Sequence, residues 1–278
     1  MGADPDEVDV EYFGLNHLGW IKNVSYQLQE KLPDLIEIIS RMGNAPGLPF
    51  EVELITSLGM IPNEYLYYYY YAQQAVDHIL AARESRGEQI ARENLILFSN
   101  LKEKFSRQDF DGMYAAYQLY LDQRGRSYMV SETGRSHDLS SVSPEISKSL
   151  SSDEGYAGVA LNLIEALSGK RDRMLILNVP NNNSIDFMQE KDVVEIPAIV
   201  SWDKIRPMPV GVLPDHSIGL MLQVKHYEHL TIEAAMEHSY QKARLALTAH
   251  PLVRDYELAG IILDEYIAMH KGYFPNLQ

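Results

Sequence analysis

Residues 12–20, Tyr-Phe-Gly-Leu-Asn-His-Leu-Gly-Trp, form an apolar run in which Asn16 and His17 are the only strongly polar side chains. The run reads as a strand. Strand side chains alternate, so His17 would share a face with Leu15 and Gly19, and Asn16 would share the other with Gly14, Leu18 and Trp20. The two glycines leave room for another group to come close to the backbone. An imidazole in such a run has two readings. It is a hydrogen-bonded core histidine, which a neutral ring tolerates, or it is a metal ligand, a role imidazole fills more often than any other side chain.

The 278 residues, 46% of them apolar, suffice for one large domain or two small ones with a substantial core. The formal charge of −15 argues against nucleic-acid partners and anionic membrane surfaces, both of which need basic patches. It also means that an anionic substrate would depend on a few well-placed basic groups. No apolar stretch approaches the ~20 residues of a membrane span. The acidic start, with Asp4, Asp6, Glu7, Asp9 and Glu11, is unlike a signal peptide. The absence of cysteine excludes disulfides. A cytoplasmic location is expected.

The spacing predicts a turn-like acidic segment at 4–11, a second strand over 20–30, and a helix carrying Leu32, Leu35, Ile36, Ile39 and Met42. Gly43, Pro46, Gly47 and Pro49 break the chain before a helix from about Glu51 to Gly59. Asn63 reads as the N-cap of a helix to about Arg83. Six tyrosines fall between Tyr65 and Tyr71, too many for one helix face, so some must line a cavity or an interface. Helices are also expected from Ser85 to about Phe105 and over 109–122, then a mobile loop over about 123–153, holding Arg135 and His137, and a helix over 154–167. Strands are expected at 173–179, 192–200 and 207–213, and Pro-Asn-Asn-Asn-Ser-Ile between the first two reads as a left-handed turn. In the helical tail, Thr231 would cap a helix to Ala249, and Asp255 one to about His270. The histidines at 216, 226, 229, 238 and 250 show no metal-binding spacing. The expected class is α+β, helices packed on a largely antiparallel sheet.

Gly-Leu-Asn-His-Leu-Gly-Trp resembles the signature that opens the C-terminal half of glycoside hydrolase family four, the NAD- and divalent-metal-dependent glycosidases, and most of all their 6-phospho-β-glucosidases. The resemblance implies a fold like the C-terminal domain of those lactate dehydrogenase-like enzymes. It implies that His17 binds the catalytic metal, conventionally Mn²⁺, and that Asn16 lies against the sugar hydroxyls. Pro62, Tyr65, Leu66, Tyr68 and Tyr69 match the family's Pro-x-x-Tyr-Leu-x-Tyr-Tyr pattern, which makes Tyr65 the base at C2 of the sugar, with Tyr67 and Tyr68 as alternatives. Arg86 matches an arginine facing the active site, and Arg92 is a weaker match. Asn178, Asn181 or Asn182, and Ile185 fit a family turn from which Ser184 and Phe187-Met188-Gln189 depart.

The resemblance further implies a phosphorylated sugar substrate, a homo-oligomer, and oxidation at C3 by NAD that acidifies the C2 proton before the aglycone is eliminated. This chain has neither the family's Cys metal ligand nor any G-x-G-x-x-G dinucleotide motif. It therefore reads as one C-terminal domain, 1–278, of a longer enzyme whose NAD-binding half is missing, and it is not expected to be active alone. The alternatives are an α-glucosidase or α-galacturonidase of the same family, or a non-catalytic, self-associating fragment.

Overall fold

Seven strands pair into one antiparallel sheet in the computed structural model, which describes residues 7–45, 47–135, 156–274 and 276–278. The principal order is β3-β2-β1-β6-β5, with β1 at Val8–Leu15, β2 at Leu18–Tyr26, β3 at Gln29–Glu30, β5 at Arg173–Pro180 and β6 at Val193–Val200. The short β4, Ile61–Pro62, pairs with β2, and β7, Ile205–Pro207, with β6. Pro197 stands where β6 changes neighbours, between Glu195, which pairs with Gly14 of β1, and Ala198, which pairs with Pro207 of β7. A residue without an N–H is tolerated at such a break in the ladder.

The chain divides into two compact units, one formed by 1–43, 52–69 and 152–278, the other by 44–51 and 70–151. The first holds the sheet. Phe13 and Trp20, both fully buried, face each other across β1 and β2 with ring centroids 5.3 Å apart. Val194, Ile196, Ala198 and Val200 of β6 are buried as completely. The unit also contains α1, Leu32–Met42, and α2, Val52–Leu58. Pro33 fits the start of α1, where no N–H is needed, and Gly43 ends it at φ 69°. Farther on lie α8, Tyr156–Leu167, and the helices α9, Asp215–Glu237, α10, Tyr240–Ala249, and α11, Tyr256–Met269.

The second unit is helical. It contains α4, Ala72–Ala81, α5, Arg86–Ser106, α6, Phe110–Arg126, and α7, Val130–Thr133; the boundary between the units falls within α3, Tyr67–Tyr70. Ser85 and Glu88 form a reciprocal capping box on α5, and the Asp109 side chain accepts from Gly112 N–H to cap α6. The His78 ring bonds through Nδ1 to the Glu132 carbonyl, tying α4 to α7.

The α+β class and the antiparallel sheet are as expected, but several elements differ. The run 12–20 is two strands instead of one, because the chain reverses at Asn16–His17 so that Phe13 and Trp20 can bury against each other. Val8–Glu11 belong to β1 instead of a turn. The strand expected at 207–213 ends at Pro207, since Pro209 cannot donate to a ladder. Thr231 caps nothing; its hydroxyl donates to the Tyr227 carbonyl inside α9, and the break comes at His238, φ 54°, with Ser239 capping α10. Residues 123–126 continue α6 and 130–133 form α7, so this part of the expected loop is helical; His137 lies outside the described residues. Among the described residues no helix is long and apolar enough to cross a membrane.

Candidate functional site

Asn16 and His17 are the two loop residues of the β1–β2 hairpin, which closes at the Leu15–Leu18 pair. Both are exposed. This removes the core-histidine reading and leaves an imidazole available to a ligand. His17 has φ 64°, a left-handed conformation in which His, Asn and Asp are enriched among residues with a β-carbon. Tyr65 faces it from a 3₁₀ turn, Glu64–Leu66, that Asn63 caps by accepting the Tyr65 N–H at 3.0 Å. The His17 and Tyr65 rings stack at a centroid distance of 4.1 Å and an interplanar angle of 14°. They form part of the wall of a cavity of about 230 Å³, together with Asn16, Tyr68, Tyr69, Leu220, His250 and Leu252.

Beside the hairpin tip, Tyr12 donates to Glu195 Oε2 at 3.0 Å. Burial, then the Glu195 charge and this hydrogen bond, push the Tyr12 phenol well above its ordinary range, and the nearby Asn63 side chain opposes them. Burial also raises Glu195, against the Tyr12 hydrogen bond and the nearby His17. His250, half-buried in the cavity wall, is held below the usual imidazole range by burial. Its Nδ1 accepts the Leu252 N–H at 3.2 Å, and its ring meets Tyr227 edge-on at 4.6 Å.

The structure thus brings Asn16, His17 and Tyr65 to one cavity. It also distributes the tyrosine run: Tyr65, Tyr68 and Tyr69 line the cavity, Tyr67 is buried, and Tyr70 and Tyr71 pack on Phe50 in the second unit. The helix expected from Asn63 to Arg83 is interrupted at Tyr71, between α3 and α4. Arg86 belongs to the second unit, where its guanidinium bonds to Gln89, to the Ser127 hydroxyl at 2.6 Å and to the Arg124 carbonyl, joining α5 to the end of α6. Arg92 pairs with Glu84. The Asn181 amide is fully buried and consumed by the backbone of its own loop, at Ile185, Met188 and Gln189, while Asn182 and Asn183 take the left-handed turn expected of this segment.

Sequence reasoning missed Tyr12, Glu195 and His250. Val-Val-Glu-Ile-Pro marked a strand, and a carboxylate inside a β-branched run was the signal that Glu195 had a partner. His250 carried no such signal, because nothing local connects it to residue 17.

Among the described residues no three His, Cys, Asp or Glu side chains gather into a metal cage. At this cavity the exposed imidazole of His17 is a nitrogen donor open to an ion. A dinucleotide does not fit the sheet described here, since every strand pair in it is antiparallel and the crevice of a doubly wound parallel sheet is not formed.

Residues 12–253 match the model of the family 4 glycosyl hydrolase C-terminal domain. The chain belongs to the family 4 glycosyl hydrolases. This family 4 chain is 27% identical over 99% of its length to a probable 6-phospho-beta-glucosidase of Bacillus subtilis, and 27% identical over 98% to a maltose-6'-phosphate glucosidase of Fusobacterium mortiferum. Among solved structures it is similar to the 6-phospho-beta glucosidase of Thermotoga maritima with manganese, NAD+ and glucose-6-phosphate, with a TM-score of 0.72, 25% identity, and coverage of 99% of this chain and 57% of that one. It likewise spans 57% of the length of both curated relatives.

Proposed function

We propose that the chain is the metal- and sugar-binding part of a 6-phosphoglucosidase, with the β-linked substrate as the first reading. The observation that carries this is the stack of His17 on Tyr65 in the wall of one cavity, since the two residues expected to ligate the metal and to move the C2 proton meet there from separate elements. Related proteins whose names or structures carry phosphorylated glucosides, NAD and manganese support it. So does the exposure of Asn16, whose amide both donates and accepts at the same tip and suits a sugar hydroxyl. The cavity has no Lys or Arg among its described lining residues, so it suits the uncharged ring of the sugar, and the phosphate would be held by groups elsewhere.

Mn²⁺, when bound, supplies Lewis-acid polarisation of a sugar oxygen. His17 would contribute one ligand to it. Tyr65 would accept the proton from C2 and later return it. By its match to the family pattern alone, Arg86 would balance the substrate's negative charge. NAD would be held by residues outside those described.

The α-linked alternative has support of its own, because maltose-6'-phosphate glucosidases are as similar to this chain as the 6-phospho-beta-glucosidases are. Matched 6-phospho-α- and 6-phospho-β-glucosides separate the two readings. The test is Mn²⁺ titration and substrate cleavage by the purified chain, alone and with the NAD-binding half of a relative supplied separately. We expect Mn²⁺ binding that His17→Ala abolishes, turnover only on reconstitution, and a loss of about 10²–10⁴-fold in Tyr65→Phe. Unchanged turnover in both variants would overturn the assignment. Reconstitution without any turnover would favour the non-catalytic, self-associating fragment.

A further inference from the structure

Two glycines face each other across the hairpin behind His17, Gly14 on β1 and Gly19 on β2, and Glu195 of β6 pairs with Gly14 in the same row. A β-carbon on Gly14 would lie 2.2 Å from the Leu18 carbonyl oxygen, and one on Gly19 would lie 2.2 Å from the Tyr12 hydroxyl. The Tyr12 phenol thus occupies the space that a side chain at 19 would take. Tyr12 is only 8% exposed, and a hydroxyl buried to that degree needs partners. It donates to Glu195 and packs against Gly19. The Gly19 carbonyl accepts the Asn63 N–H at 2.8 Å, and the Asn63 side-chain oxygen accepts the Tyr65 N–H at 3.0 Å.

A continuous set of bonds therefore runs from the hairpin that carries His17 to the turn that carries Tyr65. We propose that Tyr12, Asn63 and Glu195 are positioning residues that hold the Tyr65 ring against His17. The proposal rests on reading those two rings as the working pair.

Packing alone does not account for the set. A phenylalanine at 12 and an apolar residue at 195 would fill the same volume without a half-buried carboxylate, an arrangement often as stable or more so. Tyr65 also needs an external hold. It sits on a three-residue 3₁₀ turn, whose hydrogen-bond geometry is poorer than that of an α-helix, so the Asn63 cap has a large part in aiming it. Tyr12 in turn packs on Gly19, whose carbonyl holds the Asn63 backbone.

The test reads the stack directly. In the chain labelled with ¹³C at the histidine rings, the Tyr65 stack is expected to displace the His17 ring resonance upfield; His17→Gln assigns the signal and Tyr65→Leu gives the unstacked value. Tyr12→Phe loses only the hydroxyl that packs on Gly19 and donates to Glu195, and Asn63→Ser replaces the amide that holds the Tyr65 N–H by a shorter hydroxyl. Both are expected to move the His17 signal toward the unstacked value, with the fold retained by circular dichroism. Glu195→Gln, which still accepts from Tyr12, is expected to keep it. In the reconstituted enzyme, Tyr12→Phe should lower kcat by about 10–100-fold with little change in KM, as expected for a misaimed catalytic group.

A His17 signal unmoved in both Tyr12→Phe and Asn63→Ser would overturn the proposal. The ring measurement needs neither metal nor turnover. Its failure therefore leaves the assignment of His17 and Tyr65 standing, and failure of that assignment leaves the ring measurement interpretable.

Discussion

The two histidines of the cavity wall sit in opposite settings. His17 is exposed at a hairpin tip with φ 64°, a conformation that costs a residue with a β-carbon about 1–3 kcal/mol and that clusters at functional positions. His250 is half-buried, and its Nδ1 accepts a backbone N–H, so its neutral ring carries the proton on Nε2. Burial lowers the His250 pKa from 6.5, so the unfolded chain takes up a proton at higher pH than the folded one does. The stability this represents is complete above 6.5 and is lost as the pH falls from there through the folded value. His250→Asn keeps an acceptor for the Leu252 N–H but does not titrate. The unfolding midpoint of the parent should therefore fall more steeply than that of the variant as the pH is lowered from 7 toward 5. Parallel slopes in the two proteins would mean that His250 is solvated in the folded state.

At the scale of elements, what could be read from sequence was whatever local chemistry punctuates. Helix α1 follows its apolar spacing to a glycine, and α5, α6 and α11 begin after Ser85, Asp109 and Asp255, each of which accepts a backbone N–H of the first turn. The boundaries that were not legible lack such marks. Nothing beside Asn16–His17 announces a reversal, because neither residue is glycine and the flanking residues are apolar on both sides. The junction of α9 and α10 at His238 likewise has no glycine or proline. The capping box on α5 supports a quantitative expectation. Ser85 accepts from the Glu88 N–H while Glu88 accepts from the Ser85 N–H at 2.8 Å, so Ser85→Ala removes one half of the box and should cost about 1 kcal/mol. Urea unfolding followed at 222 nm measures this directly. No change would place the start of α5 elsewhere in solution.

At the scale of the whole molecule, the candidate site was legible only where residues adjacent in sequence were also adjacent in space. Asn16, His17 and Tyr65 come from two short motifs, whereas Glu195 and His250 reach them across most of the chain, and no local pattern encodes that approach. The same separation shapes how the protein should fold. The hairpin β1–β2 meets β6 only after some 180 residues, as the Gly14–Glu195 pair and the Tyr12–Glu195 bond show. Helices such as α5 and α6 contact each other across a short turn. Closing so long a loop is unfavourable until the sheet rewards it, and non-local strand pairing is correspondingly slow. The two tryptophans separate the events, because Trp20 is fully buried between β1 and its neighbours while Trp202 is 72% exposed. In a Trp202→Phe background, emission reports only the hairpin. On dilution from urea, the helical signal at 222 nm should recover most of its amplitude first, and the blue shift of Trp20 should follow in a slower phase. Ile196→Ala in β6 should slow that phase further if β6 docks in the rate-limiting step, while leaving the early helical phase in place. Superimposable traces would instead mean that the sheet and the helices form in one cooperative step, with the long-range pairing of β1 and β6 no later than the local contacts of α5 and α6.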